Sequence, residues 1–343
     1  MNSYSQHSLY SVPFEESLLE GAYNALHTCL KLSPSEKITI ITDEESKEIG
    51  ASLLHEVEKI NSPCSTFILE DFATRPMTGM PIEVLNELAT SQVSIFCAQA
   101  YEGELKSRME MTSVVSKNHI RHGHMVNINK QIMLEGMRAD FLKVDELSSK
   151  VHSLVSKAKY IRATSEKGTT IEGEFSPKLR WFKTSGLISP EKWGNLPGGE
   201  VFTAPYNVSG TFIIDGVVGD YLCKKYGNLK NSPCIVEIKD SRMKEIFCSN
   251  KELENELWEY CHTDENSDRV GEFAIGTNIA VKQIIGHILQ DEKFPGIHLA
   301  FGHPYSEYTG ADWVSSTHID VVGTQFNIWV DDEQIMANGK FLI

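Results

Sequence analysis

Short apolar runs alternate with amphipathic stretches along the first half of the chain. Residues 37–42 (KITIIT) form a β-branched run, and DEESKEIGASLLHEVEKI after it carries acids in its first turn and apolar residues at helical spacing. A strand therefore leads into a helix. The alternation returns: STFILED (65–71) precedes IEVLNELAT, VSIFCAQA (93–100) precedes ELKSRMEMTSVVSK, and HGHMVNIN (122–129) is a further apolar run. This pattern predicts an α/β domain built on a doubly wound, mostly parallel sheet with helices on both faces. The first strand-to-helix turn reads ITDEES, with acids where a dinucleotide site needs closely spaced glycines, so a phosphate-binding reading fails.

Between residues 155 and 165 the period shifts to strands and tight turns. KYIRATSEKGTTIEGEF predicts a hairpin closed near Glu166–Gly168, and TFIIDGVVGDYL and CIVEIKDSRMKEIFCS predict further antiparallel pairs. KELENELWEYCHTDE is the main helix candidate, with Leu253, Leu257 and Tyr260 on one face, and the C-terminal residues end in a hairpin. The expectation is two domains, 1–158 of α/β type and 159–343 a β-rich α+β domain, since a single core does not grow efficiently to 343 residues.

Lys and Arg number 32 against 47 Asp and Glu, a net charge of -15, which repels phosphate backbones and anionic membranes, so nucleic acid is not expected as a partner. The seven cysteines show no close thiolate-zinc spacing and read as reduced, scattered thiols. The N-terminal MNSYSQHSLYSVPFEESLLEGAY lacks a leader pattern and no run is long enough to span a bilayer, so a cytoplasmic protein is expected. His119, His122 and His124 in KNHIRHGHMV are expected to be exposed at a helix-to-strand junction, without a carboxylate to complete a metal site.

The chemistry lies in the last 150 or so residues, in apolar runs broken by glycine. In THIDVV, His318 and Asp320 are two apart, so on a strand they share a face and can reach one metal centre. His298 lies in another strand-like run, IHLAFG, while Glu272 in GEFAIGT and Glu200 in GGEVFTAP each follow a glycine at the start of an apolar run. An isolated glutamate at a strand end is ordinarily solvated; a set of such residues in matching settings points to a ligand. Carboxylates with imidazoles and no thiolate suit zinc, cobalt, manganese or iron(II).

NLPGGEVFTAP (195–205), GEFAIGTN (271–278), DEKFPGIHLAFGHPY (291–305) and STHID (316–320) together resemble the aminopeptidase T family of metallopeptidases. The resemblance implies a β-rich metal-binding domain, two divalent ions per chain, and a homodimer acting on a small peptide or amino-acid-like substrate. It implies Glu200, Glu272, His298, His318 and Asp320 as ligands. Tyr305, seven residues after His298 where the family has a site tyrosine, is counted with the metal-site residues, and Tyr308 is nearby. Glu200 or Glu272 would then accept the proton of the attacking water and Tyr305 would donate to the oxyanion. The dihydroxypyridine ring-cleaving dioxygenases look like relatives that use a single iron and lack the glutamate of the GGEVF motif. An iron(II) ring-cleaving or tailoring enzyme on this scaffold is therefore the alternative, and an accessory protein without turnover a third reading. Of the remaining polar residues near the motifs, His303 is a pocket candidate, His287, His262 and Asp312 are read as structural or exposed, and Trp313 as pocket lining or core packing.

Overall fold

The computed structural model describes residues 9–343; the first eight residues, where the segment read for a leader begins, lie outside them. Ile38, Ile40 and Ile41 are fully buried in strand β1 (Ile38–Thr42), as a strand covered on both faces requires. Beside it lie β2 (Cys64–Ile68), β3 (Val93–Cys97) and β4 (Arg121–His124). Helix Lys47–Ile60 packs on the face of Ile38, Ile40 and Thr42, where a Cβ on Gly50 would stand 3.1 Å from Thr42 Cγ2. Helices Ile82–Leu88 and Leu105–Lys117 bury Val84, Leu88, Met111 and Val115 against Ile41 and Phe96 on the other face.

The chain continues through β5 (Tyr160–Ser165), β6 (Thr170–Glu174), β7 (Phe182–Thr184), β8 (Gly194–Asn195), β9 (Glu200–Thr203), β10 (Asn207–Ile214), β11 (Cys234–Lys239) and β12 (Arg242–Cys248). It ends with β13 (Val270–Gly276), β14 (Gly296–Gly302), β15 (His318–Val322), β16 (Phe326–Val330), β17 (Glu333–Ala337) and β18 (Lys340–Phe341). The parallel sheet has the order β2-β1-β3-β4-β8. Two antiparallel sheets follow, β12-β11-β10-β6-β5-β16-β17-β18 and β15-β14-β13-β9-β7. An α/β domain followed by a β-rich domain is thus the observed fold class.

Two compact units result: the described part of Met1–Leu142 with Gly186–Gly198, and Lys143–Ser185 with Gly199–Ile343. In place of a single cut at 158/159, the division falls inside helix Phe141–Val155, because Val151 and Val155 are buried in the second core, and 186–198 returns to the first unit because β8 pairs with β4.

Three local expectations change. Residues 122–129 form a strand only to His124, after which Asn127 adopts a left-handed φ of 58° and the chain turns. TFIIDGVVGDYL is not a strand pair: β10 ends at Ile214, Gly219 at φ 50° redirects the chain, and Asp220–Tyr226 is a helix. His119 is exposed, but His122 and His124 are buried on β4, His124 stacked on Phe96 and both rings packed against Trp193. His122 Nδ1 pairs with the Ser94 hydroxyl at 2.8 Å and its Nε2 lies 3.2 Å from His124 Nδ1. Burial pushes the His122 imidazole down to about 3 and that of His124 well below its usual value.

The first acid of the turn after β1 is consumed internally, while Glu44 and Glu45 are exposed. Buried Asp43 accepts the N–H groups of Gln99 (2.6 Å) and Ser46 (2.8 Å) and pairs with Arg75, whose guanidinium also takes both oxygens of Glu104. In the second unit the core lies between the two antiparallel sheets, with Phe273, Ile275, Ile297, Leu299, Phe301, Ile319 and Val321 from one facing Ile161, Phe212, Val236, Phe326 and Ile328 from the other.

Candidate metal centre

Because side chains alternate along a strand, burying Phe273, Ile275, Leu299, Ile319 and Val321 in the core sends the intervening residues to the opposite face of the sheet. That face carries Glu200 and Phe202 from β9, Glu272 and Ala274 from β13, His298 and Ala300 from β14, and His318 and Asp320 from β15. The register aligns them: Glu200 opposes Gly276, Ala274 opposes both Phe202 and His298, and Ala300 opposes both Glu272 and Asp320. Small residues thus floor the space into which the longer donors reach.

A bulge at Val270/Glu272 brings Glu272 onto this face. The extra residue is Gly271, where a Cβ would stand 2.5 Å from the Gly302 carbonyl oxygen, so the neighbouring strand end approaches too closely for a side chain. Gly302 has φ 107°, a conformation that glycine tolerates, and turns the chain towards His303. These are the glycines that break the apolar motifs.

Glu272 lies at the centre. Its Oε1 is 3.2 Å from His298 Nε2 and its Oε2 is 3.8 Å from His318 Nε2. Glu200 Oε2 approaches His298 Nε2 to 3.5 Å, and Asp320 Oδ1 approaches His318 Nε2 to 3.3 Å. Donor atoms of Glu200, Glu272 and His298 all lie within 4.8 Å of one another, as do those of Glu272, His318 and Asp320. Two three-donor groups therefore share one carboxylate. The chain thus brings together all five ligand candidates. Tyr305 joins them, its ring centroid 4.5 Å from that of His318 and 6.2 Å from that of Phe202.

The electrostatics show a shortage of positive charge. Burial pulls the His318 imidazole down, but Asp320 and Glu272 outweigh it and push it up to about 10. His298 is raised in the same way, its burial overcome by Glu272 and Glu200. Burial, then the surrounding carboxylates, holds the Tyr305 phenol well above its usual value, so it is a donor at neutral pH.

His303 contributes through its backbone: its carbonyl accepts from His318 Nδ1 at 2.9 Å, so that Nε2, facing Glu272 and Asp320, is the nitrogen that would meet a cation on losing its proton. Its ring Nδ1 accepts the Tyr305 N–H. Asp264 fixes the turn ahead of β15 by accepting from Ser316 N (2.6 Å) and the hydroxyls of Ser315 and Ser316. Trp313 packs with Ala204, Ala311 and Leu179 under the Arg269 guanidinium, a core role. His262 stacks on Trp258 and bonds its carbonyl, and exposed Asp312 is in neither donor group. His287 meets Asp291 through its backbone N–H.

Two residues escaped the sequence reading. Lys293 Nζ lies 2.7 Å from Glu200 Oε1 and 2.6 Å from Glu292 Oε1. Glu292 is pushed up to about 8 by burial, which with Asp320 and Glu200 outweighs Lys293. The available signal was a charged DEK triplet five residues ahead of His298, indistinguishable from a solvated loop.

A family model described as thermophilic metalloprotease (M29) matches residues 142–341, more than half of the chain. The chain belongs to this M29 family. The whole of the second antiparallel sheet, with all five donors and Tyr305, falls within the match. Among solved structures, wild-type AmpT from Thermus thermophilus is similar at TM-score 0.70 and 14% identity, over 96% of this chain and 100% of that one. The 2,5-dihydroxypyridine dioxygenase from Pseudomonas putida KT2440 is similar at TM-score 0.68 and 13% identity, over 96% and 98%. No curated protein matches the chain. Among the described residues no helix is long and apolar enough to cross a membrane.

Proposed function

We propose that this M29 member is a metal-dependent aminopeptidase that uses two divalent ions to cleave the N-terminal peptide or amide bond of a short peptide or amino-acid-like substrate. The observation that carries the reading is the shared carboxylate: Glu272 turns one oxygen to His298 and the other to His318, so it could serve both groups at once. Glu200, Glu272 and His298 would hold one ion, and Glu272, His318 and Asp320 the other. The donor set of carboxylates and imidazoles suits zinc, cobalt or manganese. Ions bound there would supply Lewis-acid polarisation of the scissile carbonyl and lower the pKa of water.

The remaining work falls to the chain. Glu272, the carboxylate common to both groups, or Glu200 beside His298 accepts the proton of the attacking water. The Tyr305 hydroxyl, held protonated beside His318, donates to the oxygen on which negative charge develops. The His303 carbonyl keeps the His318 ring in one orientation. Phe202, Phe182 and Tyr308 form an aromatic wall next to Tyr305 that excludes water and receives an apolar substrate group. On this reading the protein works as a homodimer in the cytoplasm.

The fold similarity to the dihydroxypyridine dioxygenase supports a second reading, a single iron(II) ion used in oxygen chemistry. Retention of Glu200 and the second donor group favours the first. Metal analysis of protein purified without added metal, together with aminoacyl-nitroanilide hydrolysis before and after chelation, separates them. About two zinc or cobalt ions and metal-restored amide cleavage support the peptidase. One iron and silence across a broad amide panel would overturn it.

A further inference from the structure

Lys293 is 1% exposed, and a buried ammonium is costly unless its partners are charged and well placed. Its place is set by the backbone. The Lys293 N–H donates to the Gln290 carbonyl at 2.9 Å, and its own carbonyl accepts from Asn278 N at 3.0 Å. Just before it, the Asp291 carboxylate accepts the N–H groups of Ile285, Gly286 and His287. From this fixed point the ammonium reaches Glu200 Oε1 at 2.7 Å, an oxygen that also accepts the Thr184 hydroxyl at 2.8 Å. The other oxygen, Oε2, is the one turned to His298. The two oxygens of Glu200 are therefore not equivalent.

We propose that Lys293 is a positioning residue of the metal centre: with the Thr184 hydroxyl it occupies Glu200 Oε1, so that Glu200 offers the single oxygen Oε2 beside His298. This rests on the reading that an ion binds between Glu200, Glu272 and His298. A carboxylate free to turn can close on a cation with both oxygens and fill its coordination shell, whereas a catalytic site differs from a structural one in keeping a position open. The ammonium holds Glu200 out of that chelating pose and leaves the position to substrate. Its positive charge also weakens the ion's binding, so affinity is given up for an open site.

The test is a cobalt(II) titration of the chelator-stripped full-length protein and its Lys293→Met variant, read by visible absorption and by affinity. Tetrahedral cobalt absorbs strongly and higher-coordinate cobalt weakly. With Oε1 released, the variant's absorption bands weaken, while its affinity rises because a positive charge beside the ion is gone. Unchanged bands overturn the proposal even if affinity rises, because loss of a neighbouring charge alone produces tighter binding. Weaker binding also overturns it. Should Lys293→Met fail to fold by circular dichroism, isosteric Thr184→Val, which releases Oε1 from the hydroxyl alone, must shift the bands in the same direction by less, and no shift overturns the proposal. If the wild type takes up one cobalt instead of two, the two-ion reading fails by itself, while the comparison of wild-type and variant bands still decides the role of Lys293.

Discussion

The shared position of Glu272 makes a prediction about stability that needs no substrate. An ion that binds only the folded chain stabilises it by RT ln(1 + [M]/Kd), about 2.7 kcal/mol at a hundredfold excess over Kd, so two independent ions contribute roughly 5 kcal/mol. Glu200 belongs only to the group with His298, and Asp320 only to the group with His318. If loss of a donor weakens its ion about a hundredfold, that ion's contribution falls to about 0.4 kcal/mol. Glu200→Gln and Asp320→Asn should then each retain a metal-induced increment of about 3 kcal/mol, one ion intact and one nearly lost. Glu272→Gln, which weakens both, should retain about 1 kcal/mol. The assay is urea unfolding of stripped protein with and without the metal. Taking the increment for each variant cancels the effect of the substitution on the metal-free fold. The reasoning is refuted if Glu272→Gln loses no more than either single-group variant, or if Asp320→Asn alone abolishes the whole increment.

Other outcomes follow from the same geometry. Tyr305→Phe should lower kcat about 10²- to 10³-fold, with KM and metal stoichiometry little changed, as steady-state kinetics and metal analysis will show. A large KM effect would instead make Tyr305 a binding group. Because His318 is held at about 10 in the metal-free site, its imidazole is protonated at neutral pH and must lose that proton to bind a cation, and the upward shift of His298 adds to the protons displaced. Calorimetric titrations in buffers of different ionisation enthalpy should record a release of roughly one to two protons per chain on full loading, and no release would contradict this electrostatic picture. In the first unit, His122 titrates near 3 when folded against 6.5 for the free side chain. Its folded pKa is depressed, so the unfolded state binds the extra proton, and its penalty grows as pH falls from 6.5 towards 3. About two units below the unfolded value it amounts to about 3 kcal/mol. His122→Gln should therefore destabilise β3 and β4 at neutral pH yet narrow or reverse its deficit in acid, measured by hydrogen exchange of those strands. A deficit independent of pH would refute it.

What the sequence disclosed and what it concealed divide along one physical line. The donors were legible because each is polar in an otherwise apolar strand, and Glu200 and Glu272 each follow a glycine, which at Gly271 close backbone approach demands. The strand-helix alternation of the first unit was legible for the same reason, since its period belongs to local chain geometry. His122 and His124 were misjudged because their burial depends on Trp193 and on β8, which arrives from a stretch some seventy residues away. A charged residue carries no local mark of burial. Lys293 follows two acids in DEKFPG, a run that reads as a solvated turn, and only the fold encloses it.

The concealed residues define the electrostatics of the site. When ionised, Glu200, Glu272, Glu292 and Asp320 bring four negative charges towards one enclosed space, and Lys293 returns one positive charge. An uncompensated excess of this kind is not tolerated in a buried setting; the neighbouring groups titrate until it is relieved. Without a cation the two histidines are shifted towards their protonated forms and Glu292 is pushed up towards its neutral form. Divalent ions relieve the same excess without those protons and leave the imidazole lone pairs free to bind them. The five donors alone specify where a cation can sit. The lysine sets how much negative charge remains for it and, by occupying one oxygen of Glu200, how the nearest carboxylate can meet it.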